Sequence, residues 1–258
     1  MIPLRRCGRL SLVLAAAIIF AGRAKCEETY PLPLLPREDR AIKDPITGAE
    51  LLFVTTNPAR DHNLYFHQRS WLSDDSLLLF TSDRPEGGLM GYLFATGELV
   101  RLTTPQGGLG CATAARDHNR VFAYRPPDIV ELTLAIQASP DPAASPSKVT
   151  ATERVICTLP QGAALQAGLT ENSDGTLLGL DLRWPDGEQG VATASIATGE
   201  IRDVCRFSFA GHLQFSRTNP NLMSVAGLQD RLVVVDLSRG GQPYSLHHQA
   251  PGEYITHE

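Results

Sequence analysis

Four polar turns recur along this chain, and each leads into a short apolar run. Asp74-Asp75-Ser76 precedes Leu77 to Thr81. Asp117-His118-Asn119 precedes Arg120 to Ala123, Ser173-Asp174-Gly175 precedes Thr176 to Leu180, and Thr218-Asn219-Pro220 precedes Leu222 to Val225. From Asp74 to Asp117 is 43 positions, from Asp117 to Asp174 is 57, and from Asp174 to Asn219 is 45. A strand–turn–strand unit cannot bury its apolar face alone. Repeated at about 40–45 residues it predicts stacked propeller blades. The long interval holds Ser139-Pro140-Asp141-Pro142-Ala143-Ala144-Ser145-Pro146, which reads as a loop inserted in one blade.

The same grammar continues past each turn. Thr96-Gly97-Glu98 and Thr198-Gly199-Glu200 each sit between apolar runs. Their glycines provide the positive φ of a tight hairpin between third and fourth strands. Apolar residues fall in short blocks broken by Gly or Pro rather than at helical spacing. The fold class expected is therefore all-β, a β-propeller.

The N-terminus reads differently. Arg5, Arg6 and Arg9 form a basic region before Leu10 to Ala21, which is apolar except for Ser11. Gly22 and Ala24 are the small residues of a cleavage site after Ala24, so residues 1–24 read as a secretory signal peptide. The rival is a lipoprotein signal acylated at Cys26, against which Lys25 argues. Residues 25–43, with Pro31, Pro33 and Pro36, read as extended or loose. Leu51 to Thr56 reads as the first strand. Residues 44–258 carry the propeller.

Export leaves 28 acidic residues against 19 basic ones, because Arg5, Arg6, Arg9 and Arg23 leave with the signal. No basic run remains to hold a nucleic-acid backbone, so a nucleic-acid partner is not expected. A polyanionic ligand would need a local cation, either a metal or arginines held in a cleft. Four cysteines remain, Cys26, Cys111, Cys157 and Cys205. An exported chain allows three pairings among them, while Cys111, Cys157 and Cys205 also read as small core residues near equivalent points of successive repeats. None has C-x-x-C spacing, and no metal is assigned to them.

The last third of the chain carries the candidate chemistry. Gly211-His212 opens an apolar segment, and Gly252-Glu253-Tyr254-Ile255-Thr256-His257-Glu258 opens what reads as another strand. A histidine at the same place in successive repeats would put two imidazoles on one rim. This stretch resembles the oligogalacturonate lyase family, β-propeller enzymes that break short pectin fragments. The resemblance extends to Asp44-Pro45-Ile46-Thr47-Gly48-Ala49-Glu50, His62-Asn63-Leu64-Tyr65-Phe66 and Trp71 to Arg84, in the same order. It implies β-elimination of an oligogalacturonate substrate, with a histidine removing the C5 proton and a divalent metal, manganese, neutralising the adjacent carboxylate.

Position by position, His212 matches the family's base and His257 one metal ligand. The remaining ligands, a Gln-x-x-His-x-His run, are not in this sequence. The family's arginine before its Thr-Gly-Glu hairpin falls at Gln189-Gly190-Val191, and Arg183 lies earlier. A seven-bladed ring needs about 300 residues, so the 234 left after the signal suit four to five blades and a truncated relative. Such a chain is expected to be a weak or inactive lyase. The alternative is a non-catalytic TolB-like propeller that binds a periplasmic protein or a sugar. Both place the protein in the periplasm or outside the cell, with no membrane span after signal cleavage.

Other residues read more plainly. His212 itself also fits a packing role between blades. His247-His248 reads as a surface loop, Trp71 and Phe80 as core, and His62, His67 and His118 as turn residues without a role. The exported protein should begin at or near Lys25 by N-terminal sequencing; Met1 retained on a soluble cytoplasmic product would contradict the leader.

Overall fold

The structure is a computed structural model that describes residues 27–208, 210–227 and 230–255. The leader, Cys26 and His257 lie outside the described residues. In chain order, the N-terminal segment supplies β1 (Glu28–Pro31), β2 (Leu34–Leu35), β3 (Arg40–Lys43) and β4 (Glu50–Phe53). The first blade is β5 (Asp61–Asn63), β6 (Leu77–Ser82), β7 (Gly88–Leu93) and β8 (Leu99–Arg101). The second is β9 (Gly110–Ala114), β10 (Arg120–Arg125), β11 (Asp128–Gln137) and β12 (Lys148–Thr158). The third is β13 (Ala164–Glu171), β14 (Leu177–Arg183), β15 (Gln189–Ser195) and β16 (Ile201–Phe207). The fourth is β17 (Gly211–Phe215), β18 (Leu222–Ala226), β19 (Val233–Asp236) and β20 (Pro243–Ser245). Each blade is an antiparallel meander in sequence order. The helical structure among the described residues is one 3-10 turn, Leu237–Arg239.

The repeat predicted from the turns is the blade repeat. The backbone N–H groups of Leu72, Ala115, Asn172 and Ser216 donate across the turns to the carbonyls of Leu77, Arg120, Leu177 and Leu222. One bond thus closes the same turn in all four blades and fixes which residues are equivalent. The inserted loop joins β11 to β12, the longest strand pair of the fold.

Apolar alternation stacks the blades. Leu77 and Leu79 of β6 enter a core with Val121, Val130 and Leu132 of the second blade. Phe122 and Ile129 face the other way, toward Leu178, Leu180 and Leu182 of the third. Val191 joins Leu213, Phe215 and Val225 of the fourth. Period two sends alternate side chains to opposite faces, so each interior blade feeds two cores.

The N-terminal segment is extended, as its prolines imply, but it is not loose. β1 adds to β12 at the outer edge of the second blade, and β2 adds to β8 at the outer edge of the first. The unpaired edges take up these strands, which the sequence reading did not anticipate. Three strands therefore precede the Leu51 to Thr56 stretch read as the first. Beside β2, Leu35 and Val54 pack on Phe80, Met90, Tyr92 and Leu99, covering the first blade's free face. Arg84, 8% exposed, ties the segment down through Glu38 at 2.7 Å and Asp61 at 2.7 Å. Trp71 departs from the core expected of it. It is 43% exposed and stacks on Phe94, with ring centroids 4.7 Å apart.

Gly199 and Gly187 both have positive φ, but their surroundings differ. A Cβ at Gly199 would collide with the Ile156 carbonyl of the second blade, whereas one at Gly187 meets nothing. Gly187→Ala should cost about 1 kcal/mol in urea unfolding, from backbone strain alone, and Gly199→Ala about 3 kcal/mol or more. Equal costs would show that the Gly199 hairpin does not press on its neighbouring blade.

Candidate functional site

The inner strands of the four blades line a groove. Counting back four residues from each turn-closing N–H gives Gln68, Cys111, Gly168 and His212, one from each blade. These four ring a cavity of about 450 Å³, together with Tyr65, His67, Gln166, Leu169 and Leu213. Counting back two gives Ser70, Thr113, Thr170 and Gln214, which line an adjoining cavity of about 770 Å³. The cavities share His67 and Gln68, so they are two ends of one groove.

His212 therefore lies at one mouth of the groove, at the start of β17. Its backbone explains how. Between Gly211↔Ala226 and Gln214↔Ser224 the β17–β18 register shifts, and His212 takes φ +52°. A bulge of this kind re-aims a side chain without ending the strand. Cys111, its counterpart on β9, has φ +45° beside a register shift in β9–β10. The two departures mark the mouth as a place where regular pairing is interrupted.

One partner of His212 comes from the first blade. After β5 the chain leaves the sheet and rejoins it at Trp71, which bridges to Leu78. This excursion carries Tyr65, Phe66, His67 and Gln68. Its turn is fastened by the Gln68 N–H donating to the Tyr65 carbonyl at 2.7 Å. The Tyr65 hydroxyl lies 3.0 Å from His212 Nε2, and the His67 and His212 rings are 5.4 Å apart. Tyr65 and His67 were missed in the sequence. Tyr65 lay inside a stretch quoted only for its resemblance, and His67 looked like a turn residue. No local pattern showed that 147 residues later a fourth blade would meet them.

Other expected residues are not brought to this mouth. His257, the expected metal ligand, is outside the described residues. His247 pairs with Glu253 at 2.8 Å and His248 with Asp230 at 2.7 Å, in an exposed loop as read. Arg183 is exposed at the end of β14, opposite Gln189. Cys111, Cys157 and Cys205 are free thiols. Cys157 and Cys205 sit on the fourth strands β12 and β16, but Cys111 is on an inner strand, so only the first two occupy comparable points.

Behind the mouth sits a buried acid that sequence reasoning also missed. Asp181 of β14 is 2% exposed, and its Oδ1 makes no hydrogen bond among the described residues. Gly168 makes room for it, because a Cβ there would lie 2.9 Å from the Asp181 Cβ. Burial alone pushes the Asp181 carboxyl up to about 7. Burial and then the Asp181 charge push the Cys111 thiol up as well. The signal was a lone Asp in the apolar run Leu177 to Leu182, where a propeller strand is buried on both faces.

No protein-family profile and no curated protein matches the sequence. Solved structures do. An oligogalacturonate lyase in complex with manganese superposes with a TM-score of 0.66 at 16% identity, over 87% of this chain and 62% of that one. The oligogalacturonate lyase from Vibrio parahaemolyticus gives 0.65 at 16%, over 88% and 62%. A chain of the nidogen/laminin complex gives 0.52 at 12%, over 84% and 77%. At such identities the likeness is one of fold. The chain is an all-β propeller that spans about 62% of the length of the two lyases it matches.

The acid behind the mouth makes stability depend on pH. A carboxyl whose folded pKa is raised binds its proton more tightly when folded, so stability falls as pH climbs from the unfolded value toward 7 and then levels. Urea unfolding should show the wild type losing up to about 3 kcal/mol relative to Asp181→Asn between pH 5 and pH 8. Parallel curves would show that Asp181 is ionised throughout.

Proposed function

We propose that the groove binds a short acidic saccharide at the His212 mouth and that His212 is the base for its β-elimination, as in an oligogalacturonate lyase. The observation that supports this is the placement of His212: an inner-strand imidazole, re-aimed by a bulge, over a cavity of about 450 Å³. A base needs one imidazole nitrogen with its lone pair available. When the Tyr65 hydroxyl donates to Nε2, that nitrogen is the unprotonated one. Tyr65 is 44% exposed on the excursion, and it must give up Nε2 when a substrate C–H approaches. Export to the periplasm or beyond belongs to the same proposal and rests on residues 1–24. Among the described residues no helix is long and apolar enough to cross a membrane.

A divalent metal, manganese by the resemblance, would supply neutralisation of the carboxylate beside the abstracted proton. The described residues do not fit one. No three His, Cys, Asp or Glu side chains among them come together as a holding group. The neighbours of His212 are a phenol, an amide, a second imidazole and a thiol, with Asp181 buried behind Gly168. The proposed chemistry is accordingly proton abstraction by His212 alone. That donor set also favours a second reading, a propeller that binds the saccharide without cleaving it.

Digalacturonate separates the readings. Calorimetry should show binding that His212→Ala retains. Ultraviolet absorbance of the new C4–C5 double bond should show slow elimination, about 10²–10⁴-fold above that of His212→Ala. Binding without elimination selects the second reading. Elimination that persists in His212→Ala removes this residue from the chemistry, and absence of binding rejects both.

A further inference from the structure

The other end of the groove has a different character. One residue past the turn-closing N–H of the second and fourth blades stand Arg116 and Arg217, and both line the larger cavity with Arg69 of the first blade. Arg116 and Arg217 stand five residues, about 15 Å of extended backbone, beyond Cys111 and His212 on their own strands. None of the three guanidinium groups makes an ion pair within 4.0 Å among the described residues. Arg116 Nε is buried and makes no hydrogen bond among them either.

Of the acidic residues of this cavity, Glu171 compensates Arg116 in part and makes no ion pair with it within 4.0 Å. Glu171 accepts the Arg116 backbone N–H at 2.6 Å, and its other oxygen lies 3.7 Å from Arg120, which comes from outside the cavity. Asp75 is exposed at the rim. Burial, followed by the charge of Arg69, holds the Arg116 guanidinium below its ordinary value; the Glu171 charge opposes this, and Arg217 adds to it. Guanidinium groups that line one cavity without an ion pair among the described residues repel. The same groups offer several N–H donors in the planar fork that suits carboxylate or phosphate.

We propose that this end of the groove is a binding site for a multivalent oxyanion, a small phosphate or polycarboxylate, held by Arg116 and Arg217 with Arg69 beside them. The site is separate from His212 and does not rest on its role. Hydroxyls at Ser70, Thr113 and Thr170 line the approach. Thr113 and Thr170 already accept N–H groups from Arg69 and Phe215, which leaves their O–H groups to donate to an anion.

Inorganic phosphate and citrate are the probes, titrated calorimetrically against the whole chain in chloride at matched ionic strength. At least one should bind saturably, and the tighter of the two identifies the ligand chemistry as phosphate or polycarboxylate. Arg69 and Arg217 are exposed, so Arg217→Gln and the Arg69→Gln/Arg217→Gln double variant test the site with little risk to folding. Each should weaken binding at least about tenfold, a loss of ~1.4 kcal/mol, while His212→Ala leaves it unchanged. Failure of both probes to saturate overturns the proposal. So does equal affinity in the double variant, or loss of binding in His212→Ala.

Discussion

Burial of one sheet face against the next is what the rest of this structure depends on. A four-stranded meander of this length has two apolar faces and cannot cover either by itself. Leu77 and Leu79 of the first blade need Val121 and Leu132 of the second, whose Phe122 and Ile129 need Leu178 and Leu180 of the third. A buried leucine contributes about 2 kcal/mol, so several per interface outweigh any single hydrogen bond in the fold. The pairing of β1 and β2 with outer edges follows from the same arrangement. Outer strands have no sequential partner, and the N-terminal segment supplies one while covering the first blade's free face.

Stacking of this kind turns a sequence repeat into a spatial one. Because each turn is closed by the same backbone bond, residues at a fixed offset from it arrive at the same height in the groove. Gln68, Cys111, Gly168 and His212 are thus one tier, Ser70, Thr113, Thr170 and Gln214 the next, and Arg116 and Arg217 lie beyond. The excursion carrying Tyr65 then links the first blade to the fourth, its hydroxyl lying 3.0 Å from His212 Nε2.

Electrostatics gives the two ends of the groove opposite tendencies. Near His212 the buried acid, Asp181, is held neutral at low pH by burial, with no hydrogen bond to its Oδ1 among the described residues. At the far end three arginines line one cavity and make no ion pair within 4.0 Å among the described residues. An acidic protein whose overall charge repels anions can still attract one here, since a walled cleft makes local charge outweigh the distant net charge.

Much of the fold was legible in the sequence because a propeller is periodic. Asp74, Asp117, Asp174 and Asn219 announced the turns, Gly97 and Gly199 announced the tight hairpins, and the Ser139 to Pro146 loop fell within one blade. Gly211 and the apolar run after it placed His212 at the start of a strand, which is β17. The strand roles of residues 28–43 were not legible, since edge pairing is decided by which edges lie open. Nor was Trp71's exposure, which depends on Phe94 beside it. The mouth and the arginine end escaped for a common reason. Tyr65 with His212, Gly168 with Asp181, and Arg69 with Arg116 and Arg217 are pairings between different strands and, in most cases, different blades. Local sequence determined what each blade would be, and only the stacking of blades, driven by apolar faces that carry no chemistry, decided which polar side chains would meet.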